Sequence, residues 1–367
     1  MPTPLNALAE YGQSAWVDYL SRRFVRGGDL AALISRGVVG VTSNPTIFQA
    51  AIAQGDAYDQ QLREILAVET DPKEVFLALA RDDIRGACDL LREVFHRGDS
   101  SRDGWVSLEV DPNLAHDTSG TTAEAVRLHQ MIDRDNLFVK IPATEEGIPA
   151  IEEAIARGIP INVTLLFSLA RHRAAAEAYI RGLRRLHAGG GDLRAVASVA
   201  SFFVSRVDTE ADRRLDEVGG PEDLKGTLAI ANAKLAYQTY RQLFTGPGWS
   251  ELEAAGASPQ RCLWASTSTK NPAYRDVRYV EELIGPNTVT TMPRATFEAF
   301  ADHGRVANTL EHDLDGAQRT LDRFAEAGVD YDDLVAVLER QGVAAFARSF
   351  QELFDGVAAK REELITA

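Results

Sequence analysis

Short apolar runs alternate along the chain with longer stretches in which apolar residues recur every three or four positions. The short runs predict β-strands and the spaced pattern predicts amphipathic helices. Eight strands are predicted, at 14–18, 38–42, 105–110, 137–141, 161–166, within 195–204, 262–266 and 288–292. Helices are predicted at 29–36, 46–68, 73–96, 122–132, 145–157, 169–186, 224–244 and 277–284, and over much of the stretch from about 297 to 364.

This alternation predicts parallel strands joined by crossover helices. A closed barrel and a doubly wound open sheet both fit it. The barrel is favoured because there are eight strands, because no Gly-x-Gly-x-x-Gly follows the first strand, and because polar residues lie near the carboxyl ends of most strands. We therefore predict an α/β fold, a single (β/α)8 barrel domain over residues 1–367 with additional helices and a helical C-terminal extension from about 297.

Charge and composition narrow the function classes. The 39 Lys and Arg against 54 Asp and Glu give a net charge of −15, which disfavours binding to nucleic acid or to an anionic membrane surface. Two separated cysteines predict no disulfide framework, and the seven scattered histidines predict no metal site. The amino terminus lacks the pattern of a signal peptide and no apolar run is long enough to span a bilayer, so we expect a cytoplasmic protein.

Lys140 is the first candidate for chemistry because it interrupts the apolar strand LFVKI. Such a lysine either reaches solvent, pairs with a buried carboxylate, or serves as an amine nucleophile toward a ketone. Asp18 and Glu109 end two other strands, and carboxylates near an amine can carry the proton transfers of Schiff-base chemistry. Each could instead cap a helix or form a salt bridge.

Other polar residues suit a sugar phosphate. Asn44 follows the second strand in TSNPT, where it either opens a helix or reaches sugar hydroxyls. Asn162 and Thr164 are two positions apart, so they share one face of an apolar strand and need polar partners there. Arg206 and Lys270 follow the sixth and seventh strands, where two cations would suit a phosphate group, although solvent-exposed loops explain them equally well.

The segments GVTSNPTIF at 40–48, NLFVKIPATEEGI at 136–148 and INVTLLFS at 161–168 resemble the signature segments of transaldolases. SLEVDP at 107–112 and WASTSTKNP at 264–272 resemble further family segments, and the likeness runs from about residue 10 to 310. The chain length and the helix near 224–244 are similar to a longer bacterial subgroup. The loop after Ser266 departs from shorter members, in which an arginine follows the serine soon afterwards.

The resemblance implies a role for each matching residue. Lys140 would form the Schiff base, Asp18 would transfer protons during C–C cleavage, and Glu109 would act through a water held by Thr164. The hydroxyls of the dihydroxyacetone unit would be held by Asn44, Asn162 and Ser201, and the phosphate by Arg206, Ser266 and Lys270.

The implied enzyme is a transferase of the pentose phosphate pathway. It would move dihydroxyacetone from sedoheptulose 7-phosphate to glyceraldehyde 3-phosphate, giving erythrose 4-phosphate and fructose 6-phosphate. Its partners would be small sugar phosphates, it would need no cofactor and no metal, and it would be a monomer or a homodimer. The alternatives are a fructose-6-phosphate aldolase that releases free dihydroxyacetone, and a barrel without catalytic activity.

Overall fold

The computed structural model describes residues 3–43, 45–53, 56–97 and 103–366. Within them, eight parallel strands form a closed barrel in which each strand pairs with the next and the eighth pairs with the first. The strands are β1 Gln13–Asp18, β2 Val38–Thr42, β3 Trp105–Glu109, β4 Leu137–Pro142, β5 Ile161–Leu166, β6 Ser198–Phe203, β7 Arg261–Ala265 and β8 Thr288–Met292. The predicted (β/α)8 barrel is confirmed, and the open-sheet alternative is wrong.

Sixteen α-helices surround the barrel in the described part of the chain. They are α1 Pro4–Glu10, α2 Arg22–Arg26, α3 Asp29–Ser35, α4 Pro45–Ala53, α5 Asp59–Leu66, α6 Pro72–His96, α7 Thr118–Ile132, α8 Gly147–Ala156, α9 Leu169–Ala188, α10 Ser205–Val218, α11 Leu228–Phe244, α12 Pro247–Ala254, α13 Arg278–Glu281, α14 Arg294–His303, α15 Leu314–Glu326 and α16 Tyr331–Thr366. Short 3-10 turns lie at Pro112–Leu114, Leu193–Ala195 and Glu222–Leu224. None of these helices has the length and apolar character needed to cross a bilayer.

The helical predictions differ from the structure in two ways. The helix predicted over 46–68 is divided into α4 and α5, and residues 56–58 between them are not helical. Helices α1, α2, α10 and α12 were not predicted at all, and the longest of them is α10. The buried apolar residues of α10 are Val207, Ala211 and Leu215, spaced four apart in a mostly polar segment, so its apolar stripe is narrow.

Aromatic side chains fill the barrel below its carboxyl end. The Trp105 and Phe138 rings stack with centroids 4.1 Å apart, and Trp16 lies 6.2 Å from Phe138. A side chain at Gly40 would collide with the Trp16 indole, so glycine is required there. Because side chains alternate along a strand, the residue two positions beyond Phe138 also faces the interior, and that residue is Lys140. The polar interior residues therefore lie one layer beyond these aromatic side chains, toward the carboxyl end of the barrel.

Helix α16 is not part of the regular alternation of strands and helices. It packs against α4, α5, α6 and α10 and reaches the carboxyl end of β5. Together with α14 and α15 it occupies the stretch for which a helical extension was predicted. Because it contacts helices from several parts of the barrel and a strand end, α16 crosses the carboxyl face of the barrel.

Candidate active site

A cavity of about 160 Å³ opens at the carboxyl ends of the strands. Its wall is formed by Asp18, Thr42, Lys140, Thr164, Ser201, Phe203, Arg206, Ala265, Ser266, Ser268, Lys270, Thr291, Pro293 and Phe346. Active sites of (β/α)8 barrels lie at this end, since each strand delivers its last residues to one rim. Seven of the ten residues that the sequence singled out therefore share one cavity wall.

Lys140 lies on β4, opposite Glu109 of β3, and is 5% exposed. Its Nζ donates to Glu109 Oε2 at 3.2 Å and to the Ser43 carbonyl oxygen at 3.1 Å. The pairing with a buried carboxylate that the sequence left open is therefore present, and Lys140 also lines the cavity. An amine held between acceptors and enclosed by protein is positioned to react with a carbonyl in the cavity.

Burial raises the pKa of both Asp18 and Glu109 above the ordinary carboxyl range. In each case the positive charge of Lys140 opposes this rise. Asp18 also accepts a hydrogen bond from Thr42 Oγ1 at 2.9 Å, which favours its charged form. For Glu109 the nearby negative charge of Asp18 adds to the rise. A carboxylate whose pKa is raised is a stronger proton acceptor, so two such groups beside an amine are suited to proton transfer.

A chain of hydrogen bonds links the polar residues of β3, β5 and β6. Asn162 donates from Nδ2 to Ser107 Oγ at 3.0 Å and accepts from Ser201 Oγ at 2.7 Å. Asn162 is fully buried and lies behind Ser201, outside the residues that line the cavity. Thr164 lines the cavity, and its buried Oγ1 has no hydrogen-bond partner among the described residues. That hydroxyl is placed to hold a water or a substrate hydroxyl.

The opposite side of the cavity carries positive charge. Arg206 is half-buried at the start of α10, and Lys270 lies in the loop after β7 with its Nζ 2.8 Å from Ser268 Oγ. Neither forms a salt bridge within the described part of the chain. Burial lowers the pKa of both, and the charge of Arg206 lowers that of Lys270 further. Two cations that repel each other without a carboxylate partner favour an anion between them.

The backbone at Ser266 has an unusual conformation at the end of the cavity where Arg206 and Lys270 lie. Ser266 has a φ of 56°, in the left-handed region that non-glycine residues rarely adopt. Its Oγ lies 2.9 Å from Ser205 Oγ, and its carbonyl oxygen accepts from the Ser205 amide at 3.0 Å. These contacts join the end of β7 to the first turn of α10, which also carries Arg206.

Several wall residues were not predicted to have a role. Ser268 is one of them, and Ser43 accepts a hydrogen bond from Lys140 without lining the cavity. Ser43 follows the polar end of β2, and Ser268 lies in the hydroxyl-rich loop before Lys270, so the sequence held a signal for both. Phe203 and Phe346 carry no such signal because a phenylalanine is typical of any core. Asn44, which the sequence predicted as a contact to sugar hydroxyls, lies outside the described residues.

Among the described residues, no group of three or more His, Cys, Asp or Glu side chains is arranged to hold a metal ion. The chemistry that the site can perform on its own is nucleophilic attack by an amine, with two carboxyl groups for proton transfer and a cationic end for an anionic group.

Comparison with known proteins bears on this arrangement. Residues 15–357 match the family model described as Transaldolase/Fructose-6-phosphate aldolase. A protein named Transaldolase from Parafrankia sp. (strain EAN1pec) is 51% identical over 371 residues, which covers both chains completely. Transaldolase of Thermobifida fusca is 50% identical over 98% of each chain, and Transaldolase 1 of Streptomyces coelicolor is 49% identical over 96% of this chain and 93% of its own. Since both the family match and these relatives extend over the barrel and into α16, the chain belongs to the transaldolase/fructose-6-phosphate aldolase family.

Proposed function

We propose that this chain catalyses the transaldolase reaction, moving a dihydroxyacetone unit from sedoheptulose 7-phosphate to glyceraldehyde 3-phosphate and giving erythrose 4-phosphate and fructose 6-phosphate. The observation that carries the proposal is the buried Lys140, which bonds Glu109 and shares a cavity with Asp18. Relatives named transaldolase at about half identity over the whole chain support it. The substrates are small and water-soluble, and we place the reaction in the cytoplasm.

The proposed reaction begins when Glu109 takes a proton from Lys140 and the free amine attacks the C2 carbonyl of the ketose. The carbinolamine loses water, with protons passing between Glu109 and a water held by Thr164. The resulting protonated imine then draws electrons from the C3–C4 bond. Asp18 takes the proton of the C4 hydroxyl as that bond breaks, which releases an aldose and leaves an enamine on Lys140.

The second half of the proposed reaction reverses the first with a different aldose. The enamine carbon attacks the carbonyl carbon of the acceptor, Asp18 returns the proton to the new hydroxyl, and hydrolysis of the imine releases the ketose. No metal is required because the protonated imine accepts the electron pair that a metal-bound oxygen would otherwise hold.

Substrate binding divides between the two ends of the cavity. Arg206, Lys270 and Ser266 would bind the phosphate, since they place two cations and a hydroxyl on one wall. Ser201 would hold a hydroxyl of the three-carbon unit and Asn162 would orient Ser201 from behind, through their 2.7 Å hydrogen bond. Asn44 is proposed as a further contact on the family resemblance alone.

Borohydride trapping tests the proposal. The chain is incubated with fructose 6-phosphate, reduced, digested and analysed by mass spectrometry, and we expect a three-carbon adduct on Lys140. Lys140→Ala should lose the adduct and all transfer to erythrose 4-phosphate while keeping its circular dichroism spectrum. Lys234→Ala is the matched control, since Lys234 lies on α11 and bonds the His312 carbonyl, away from the cavity. An adduct at another lysine would refute the assignment.

A further inference from the structure

Helix α16 contributes one side chain to the cavity wall. Phe346 is 8% exposed, lines the cavity, and has its ring centroid 5.7 Å from Lys140 Nζ. The other wall residues lie on the strands, on α10, or in the segments that follow β7 and β8. Phe346 therefore adds an apolar surface beside the amine from an element outside the strand-and-helix repeat.

The position of Phe346 is fixed because α16 is held on both sides of it. Before Phe346, Glu339 forms a salt bridge with Arg171 of α9 at 3.4 Å. After Phe346, the Phe350 ring meets the Phe76 ring of α6 edge to face, with centroids 5.7 Å apart. Contacts to two different barrel helices leave the segment of α16 between them, which carries Phe346, little freedom to move away from the cavity.

A close approach at Gly342 brings this turn down onto the barrel. Gly342 and Phe346 are four residues apart, so they lie on the same face of α16. A Cβ at Gly342 would lie 3.0 Å from Leu165 Cδ2 and 3.5 Å from Phe167 Cε2. Leu165 itself has a φ of 58°, at an irregularity in the β5–β6 pairing. A strained strand end and a glycine thus meet where α16 crosses the site.

We propose that Phe346 determines whether the three-carbon unit on Lys140 is transferred to a sugar or lost to water, because its ring occupies the space that solvent would otherwise take beside the imine. The inference rests on the proposed transaldolase function and names a residue that decides its specificity. Glu109, Asp18 and Thr164 supply the polar groups of the reaction, and Phe346 supplies none.

The two outcomes start from the same enamine. In transfer, the enamine carbon forms a C–C bond with the acceptor aldehyde. In loss to water, that carbon takes a proton from solvent and becomes a C–H bond, which regenerates the protonated imine. Water then adds at C2 and the C–N bond breaks, releasing dihydroxyacetone and the Lys140 ammonium. Both routes end in hydrolysis of the imine, which uses the water held by Thr164, and they differ in the protonation of the enamine carbon. That protonation needs further mobile water beside the enamine, and the apolar ring next to Lys140 restricts it.

The test compares Phe346→Ala, Phe346→Val and Phe346→Leu with the wild-type chain, using fructose 6-phosphate and erythrose 4-phosphate. Sedoheptulose 7-phosphate measures transfer, and free dihydroxyacetone measures loss. We expect the ratio of dihydroxyacetone to sedoheptulose 7-phosphate to rise about tenfold in the alanine variant, less in the valine variant, and to stay within about twofold in the leucine variant, which retains most of the apolar volume. In D2O the released dihydroxyacetone should carry deuterium on the carbon that was protonated.

Phe354→Ala is the matched control, because Phe354 also lies on α16 and packs on Phe350, away from the cavity. It should lower the melting temperature without changing the product ratio. An unchanged ratio in the alanine and valine variants, or an equal rise in the leucine variant, would overturn the inference while leaving the transaldolase function intact. A wild-type chain that releases dihydroxyacetone and forms no sedoheptulose 7-phosphate would overturn the proposed function, and the inference with it.

Discussion

Replacing Arg206 with alanine should lower kcat/KM for phosphorylated sugars and leave kcat/KM for unphosphorylated sugars almost unchanged. Arg206 and Lys270 line one wall of the cavity and have no carboxylate partner in the described residues. Replacing either with alanine therefore leaves no buried acid unpaired. A loss of activity then reports the missing contact with the substrate and not a penalty inside the protein.

The size of the effect follows from the contacts available. A charge-assisted hydrogen bond contributes roughly 1.5–3 kcal/mol, which corresponds to a loss of about 10- to 150-fold in kcat/KM. Arg206→Ala should lie toward the upper end because a guanidinium grips phosphate through two bonds and because Arg206 is half-buried, where screening is weak. Lys270→Ala should lie toward the lower end, since its side chain is more exposed than that of Arg206. If both contact one phosphate, the double variant should depart from additivity.

The assay is kcat and KM for fructose 6-phosphate and for fructose, together with competitive inhibition by inorganic phosphate. Arg213→Ala is the matched control, because Arg213 also lies on α10 but is exposed and paired with Glu210 and Glu217. It changes the net charge equally and should leave all three measurements unchanged. Equal losses on fructose and fructose 6-phosphate in the Arg206 variant would refute this reasoning, and the phosphate site would then lie elsewhere on the rim.

Two further outcomes follow from the site. Asp18→Asn should raise the melting temperature at pH 7 while abolishing transfer. Burial raises the pKa of Asp18 in the folded state, so ionisation weakens folding as pH rises, and the gain from asparagine should shrink toward pH 4. A gain that grows toward low pH would contradict this sign. Separately, dialysis against EDTA should leave transfer unchanged, because the imine accepts the electron pair; activity recovered only with a divalent cation would count against the Schiff-base mechanism.

The strand positions could be read from the sequence because each inner strand is buried on both sides and reads as a short apolar run. A polar residue in such a run stands out, and Lys140, Thr164 and Asp18 were found in this way. Helix α10 was missed for the opposite reason, since only three of its fourteen residues are apolar and buried, and such a pattern hardly differs from that of a solvent-exposed segment.

Spacing along the chain could not separate residues at the cavity from residues one layer behind it. Asn162 and Thr164 share a face of β5, yet Thr164 lines the cavity while Asn162 is covered by Ser201. The presence of Phe346 at the cavity could not be predicted from the sequence for a different reason. It comes from a helix far along the sequence, and only the packing of α16 against β5 brings it to Lys140.

The course of α16 has a consequence for how the protein acquires activity during synthesis. The barrel closes when β8 pairs with β1, and α16 supplies none of those hydrogen bonds. Because a chain leaves the ribosome from its amino end, all eight strands emerge before α16, and domains begin to fold as they emerge. In a nascent barrel, Lys140 would thus lie at a carboxyl face that α16 does not yet cover. With the role proposed for Phe346, reactivity toward ketones should precede selective transfer, which begins only when α16 docks.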